Sequence, residues 1–138
     1  MLVHGAWADT SSWDGVIQRL QADGYTVYAP PNPLQGLAYD PAYLADFLHT
    51  ISGPIVLVGH SYGGAVITNA ATGVPAWETI PSWAVVGTAD HAIPLALQLV
   101  MANRAHAHIT RVDAPHLSMI SNPGTVTNVI LQAVRATS

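Results

Sequence analysis

The run Ile55-Val56-Leu57-Val58, followed at once by Gly59-His60-Ser61-Tyr62-Gly63 and then Gly64-Ala65, constrains this chain more than any other segment. Four apolar residues, three of them β-branched, make a strand without a polar face. Such a strand belongs in a parallel sheet covered by helices on both sides. Glycines at 59 and 63 let neighbouring backbone pass where a Cβ would clash, and small residues at 64 and 65 let a helix begin close to the sheet. A serine at the apex of this strand–turn–helix sits in strained backbone geometry. It also lies beyond the carboxyl end of a strand, where open α/β sheets bind ligands. Ser61 is the candidate nucleophile.

The rest of the chain alternates in the same way. Met1-Leu2-Val3-His4 reads as a short strand entering a loop at Gly5. Ser11 or Ser12 caps a helix whose Trp13, Val16, Ile17 and Leu20 recur at helical spacing, and Gly24 ends it. Tyr25 to Ala29 has strand composition, stopped by Pro30, Pro31 and Pro33. Asp40-Pro41 opens a helix with Leu44, Phe47, Leu48 and Ile51 on one face. Trp83 to Val86 is a strand, Pro94 opens a helix carrying Leu97, Val100 and Met101, and a weaker strand spans Ala107 to Asp113. Asn122-Pro123 starts the last helix. This order gives an α/β fold of one domain, residues 1–138, with a mostly parallel sheet.

Composition excludes several functions. The chain has four arginines, no lysine and a net charge of −4, so the clustered cations a nucleic-acid binder needs are missing. It has no cysteine, which removes disulfides, thiolate catalysis and Cys-ligated zinc. His106 and His108 share a strand face but have no third ligand nearby, so no metal and no cofactor are expected. No apolar run is long enough to span a bilayer, and no export signal is visible, which favours the cytoplasm. Only 9% of residues are charged, against roughly 25% in ordinary soluble domains. So apolar a surface invites self-association.

Val3-His4-Gly5-Ala6, Gly59-His60-Ser61-Tyr62-Gly63, Gly87-Thr88-Ala89-Asp90 and Ala114-Pro115-His116 together resemble the landmarks of the α/β-hydrolase superfamily, in family order. The resemblance spans the whole chain and is closest to the small cofactor-free serine esterases and lipase-like members. It implies a triad of Ser61, Asp90 and His116, in the order this fold uses. Asp113, three residues before His116, competes with Asp90 for the acid. The implied oxyanion donors are the backbone N–H groups of Tyr62 and Ala6, with Trp7 the fallback for the latter. His60 and His4 are expected to brace the site.

Two family features are missing here: the earlier strands, and the strand and cap between the nucleophile helix and the acid-bearing strand. Residues 73 to 81 are too few for a strand and crossover helix. The expectation is therefore a minimal fold of about five strands, edged by Tyr25 to Ala29 and lacking a cap. The acid-bearing strand should lie unusually close to that of Ser61. An open mouth lined by apolar groups such as Trp7, Tyr62, Trp77, Ile93, Leu117 and Met119 would suit carboxylic esters, lipid-like ones first and small soluble ones second. A binding module that kept the fold without its chemistry is the alternative.

Overall fold

The computed structural model describes residues 1–72 and 80–138. β1 (Leu2–Val3) leads through a single-turn helix at Thr10–Trp13 into α1 (Asp14–Ala22), and α2 (Asp40–Leu48) follows. β2 (Val58–Gly59) turns into α3 (Tyr62–Thr72). The second half is β3 (Trp83–Gly87), α4 (Leu95–Arg104), β4 (His108–Val112), α5 (Ser118–Ser121) and α6 (Pro123–Thr137). Among the described residues all strand pairing is parallel: Leu2 aligns with Val58, and Trp83 with His108.

Alternation in β1 sorts the core into two layers. Leu2 packs with Trp13, Val16 and Leu20 of the α1 region and with Val126, Ile130 and Leu131 of α6. Val3, its neighbour, packs with Leu44 of α2 and Val66 of α3. Helices thus cover both faces, as the apolar strands require. Among the described residues no helix is long and apolar enough to cross a membrane, and none forms a cap over Ser61. Leu97, Val100 and Met101, carried by the helix that Pro94 opens, are exposed on α4.

Two strand expectations need correction. Tyr25 to Ala29 runs beside β1 and accepts one hydrogen bond, Leu2 N–H to Tyr28 O at 2.8 Å, yet forms no ladder. A two-residue partner leaves it little to pair with. Nor does β3 pack directly beside β2. The described strands form two separate two-stranded sheets, β1–β2 and β3–β4. The cleft between them, about 960 Å3, is lined by residues 55–61 on one side and 80–87 on the other. Ile55 to Val58 is consequently only half-buried, although its composition suits full burial.

Candidate functional site

Ser61 has φ +52°, the left-handed conformation expected at the apex of this turn. Backbone contact enforces it. A Cβ on Gly63 would overlap the carbonyl oxygens of Val3 and His4, and one on Gly5 would stand 2.8 Å from His60 O and 2.9 Å from Ser61 Cβ. The loop after β1 therefore lies directly against the serine turn. Tyr62 N–H, at the start of α3, and Ala6 N–H, in that loop, make no hydrogen bonds among the described residues. Two donors thus remain available beside Ser61.

The loop is braced from behind. Buried His4 takes the Asn32 N–H on Nε2 at 2.9 Å, its Nδ1 meets Gly5 O at 2.9 Å, and Asn32 Nδ2 donates to His4 O at 3.1 Å. Tyr62 is anchored through its hydroxyl, which donates to Asp40 Oδ2 at 2.6 Å. Asp40 is fully buried and also receives the N–H groups of Gln35 and Gly36. Burial pushes its carboxyl up, but these three donors outweigh burial and hold it below the usual carboxylate range. Asp40 reads as a helix cap in the sequence; its side chain instead ties the preceding loop to the residue after Ser61.

β3 and β4 supply the other half. His116 Nδ1 donates to Asp90 Oδ2 at 2.8 Å, which fixes the tautomer and leaves Nε2 as an acceptor. Asp90 Oδ1 receives the N–H groups of Ala92 and Ile93 at 2.7 and 2.9 Å. Burial raises the Asp90 carboxyl, but the His116 hydrogen bond and the Ile93 and Ala92 amides outweigh it, so it remains ionised well into acid. Asp113, the rival acid, is exposed and among the described residues meets only Thr88 Oγ1, at 3.4 Å.

Gln98 of α4 had no sequence signal. Its amide nitrogen donates to Asp90 Oδ2 at 3.2 Å, Gly87 O at 3.2 Å and Ile93 O at 2.7 Å, while its oxygen accepts Gly87 N–H at 3.1 Å. One side chain thus meets the edge groups of β3 that face away from β4, and steadies Asp90.

At the site the halves meet through His60, in addition to the core that β1 and α1 share with α6. Its Nε2 donates to His116 O at 2.9 Å, and the two rings lie 4.7 Å apart. Burial pushes the His60 imidazolium down, favouring the neutral ring. Ser61 Oγ makes no hydrogen bond among the described residues. The Ser61–His116 contact is therefore open here, as catalytic hydrogen bonds often are without substrate.

Of the expected lining residues, Tyr62 lines neither cavity, its hydroxyl being turned to Asp40, and the other described ones divide between two cavities. Ile93 lines the cleft that holds Ser61 and His116. Trp7, wholly exposed, and Leu117 line a separate depression of about 340 Å3 beside Asp9 and Ser12. Met119 borders both but is itself packed in the core. Trp77 lies outside the described residues. Among the described residues no group of three His, Cys, Asp or Glu side chains is placed to hold a metal ion. His108 instead stacks on Trp83, with ring centroids 5.2 Å apart.

No curated protein sequence matches the chain. Solved structures of the same architecture do. The chain superimposes on a pyrethroid hydrolase, PytH, with a TM-score of 0.82 at 17% identity, covering 99% of this chain and 96% of that one. The ydeN gene product of B. subtilis gives 0.81 at 18% identity, covering 97% of each chain. An extracellular α/β-hydrolase from a Paenibacillus species gives 0.77 at 16%, covering 96% of this chain and 97% of that one. These likenesses establish a common fold. The model of the alpha/beta hydrolase family matches residues 1–75, more than half of the sequence. This chain belongs to the alpha/beta hydrolase family.

Proposed function

We propose that the protein is a serine carboxylester hydrolase, with lipid-like acyl esters as the preferred substrate class. The observation that carries this reading is the Asp90–His116 pair, hydrogen-bonded at 2.8 Å and linked through His60 to the strained Ser61 turn. His116 Nε2 takes the Ser61 Oγ proton as Oγ attacks the ester carbonyl. The Tyr62 and Ala6 N–H groups hold the developing oxyanion. His116 then returns the proton to the leaving alcohol, and an acyl-serine remains. Water, deprotonated by His116, attacks that ester; collapse releases the acid and restores Ser61. Asp90 holds the ring in the required tautomer and stabilises its protonated form.

The test is hydrolysis of p-nitrophenyl acetate and butyrate by the wild-type chain and by Ser61→Ala. Turnover that falls by about 10^4-fold or more in the variant is expected. Equal turnover in both proteins, or covalent labelling by an organophosphonate anywhere but Ser61, rejects the assignment.

A further inference from the structure

The residues that carry both N–H donors beside Ser61 are tied to one stretch of chain, residues 32–40, which joins neither sheet. Its first member is Asn32. Pro31 and Pro33 flank it, and a residue before proline is confined largely to extended backbone. Its N–H donates to His4 Nε2 and its side-chain amide to His4 O. The amide oxygen is buried with no partner, so among the described residues His4 is all that this side chain hydrogen-bonds. His4 O is in turn the carbonyl that a Cβ on Gly63 would meet at 2.7 Å. Asn32 thus holds the end of β1 against the serine turn, two residues before Ala6.

The last member is Asp40. Leu34 at φ +58° and Gly36 at φ +111° turn the chain back on itself. The N–H groups of Gln35 and Gly36 then meet the Asp40 carboxylate at 3.0 and 3.1 Å. A turn that needed only capping would be complete with those two. The carboxylate makes a third bond, the shortest at 2.6 Å, to the Tyr62 hydroxyl. Hydrogen bonds to an ionised acceptor are about twice as strong as neutral ones, so the phenol is held stiffly from within the fold.

We propose that the segment 32–40 aims the oxyanion site: Asn32 positions the Ala6 N–H through His4, and Asp40 positions the Tyr62 N–H through its phenol. The inference rests on the serine-hydrolase reading and names the positioning residues behind its two donors. Neither side chain touches the substrate; each acts through the residue it holds.

The experiment is kcat and KM for p-nitrophenyl butyrate, with the Ki of an aryl trifluoromethyl ketone, on wild type, Asn32→Ala and Tyr62→Phe. Asp40→Asn is avoided because it also loosens its own turn. Asn32→Ala keeps the backbone bond to His4 Nε2, and Tyr62→Phe leaves Gln35 and Gly36 on Asp40. The ketone adds to Ser61 Oγ and places its oxyanion where that of the ester forms, so its affinity reports the two donors. In each variant kcat falls about tenfold or more, a share of the roughly 10^2- to 10^3-fold that loss of a whole donor costs. KM stays within about twofold, and Ki rises by the factor by which kcat/KM falls. Unchanged kcat in either folded variant, a loss confined to KM, or a lower kcat with unchanged Ki overturns the proposal. A wild type that hydrolyses no ester and takes no organophosphonate on Ser61 fails the serine-hydrolase reading instead. The brace is then read from proton–nitrogen correlation spectra. Asn32→Ala must displace the Gly5 and Ala6 amides, and Tyr62→Phe those of Ser61 and Gly63; amides left in place overturn it.

Discussion

β2 delivers Ser61 through a turn fixed by backbone touching backbone, whereas β3 delivers Asp90 through a net of side-chain hydrogen bonds. In the first half the tolerances are set by absent atoms. Gly63 lies against the carbonyls of Val3 and His4, and Gly5 lies against His60 and Ser61. In the second half they are set by atoms present: Asp90 accepts from Ala92, Ile93, Gln98 and His116. Steric fixation gives one conformation at high cost if disturbed. A hydrogen-bonded net can lose one member and keep its shape.

Gly63→Val tests the steric half most severely. Its Cβ falls on two backbone carbonyls that cannot move without pulling β1 away from β2. We expect a loss of about 4 kcal/mol or more, among the largest effects of single substitutions, read as a drop in urea midpoint. A midpoint within experimental error of wild type would mean that β1 can shift freely, and the contrast between the halves would break.

Asp90→Asn tests the other half, with the opposite split. The amide keeps the shape and most of the contacts but presents the wrong hydrogen-bonding partner to His116 Nδ1. Turnover is expected to fall on the order of 10^4-fold while the urea midpoint stays close to wild type. Unfolding of this variant would show that the net, too, is needed for the fold.

Gln98→Leu sharpens the comparison within the net. Removing its amide deprives Asp90 Oδ2 of one donor and leaves the Gly87 edge unmet. Asp90 is then held less firmly against His116, and kcat falls about tenfold while KM stays close to wild type. A lower urea midpoint with kcat unchanged would make Gln98 a fold residue rather than a positioning one.

The steric half was also the legible one. The serine turn, its flanking glycines and the order Ser61, Asp90, His116 are local patterns or chain order, and both survive projection onto a line. The rest depends on what lies beside what. Asp40 carries a capping signature in sequence, yet its carboxylate reaches across to Tyr62. Gln98 sits among apolar residues of α4, and nothing in that pattern marks it as the partner of Gly87. The spacing of strands 2 and 3 was misjudged for a related reason. A short connection, residues 73 to 81, suggests strands drawn together, but the described strands form two separate sheets with a cleft between them.

His60, the hydrogen-bonded link between the halves at the site, gives the smallest effect. Burial lowers its pKa in the folded chain below the ordinary 6.5, so the unfolded chain takes up the proton first as pH falls. Stability is therefore full above about pH 6.5 and declines as pH drops towards the folded value. For one group the slope cannot exceed about 1.4 kcal/mol per pH unit. Asp90 has its own depressed pKa, and its contribution is lost only at lower pH, below the ordinary carboxylate value of about 3.9. Urea unfolding between pH 7.5 and 5 should thus show a decline that His60→Gln makes shallower, the remainder coming from the Met1 amino group, which burial pushes down to about 6. If the decline is as steep in His60→Gln, the two halves are not coupled through a neutral His60, and the Nε2 contact to His116 O is incidental to stability.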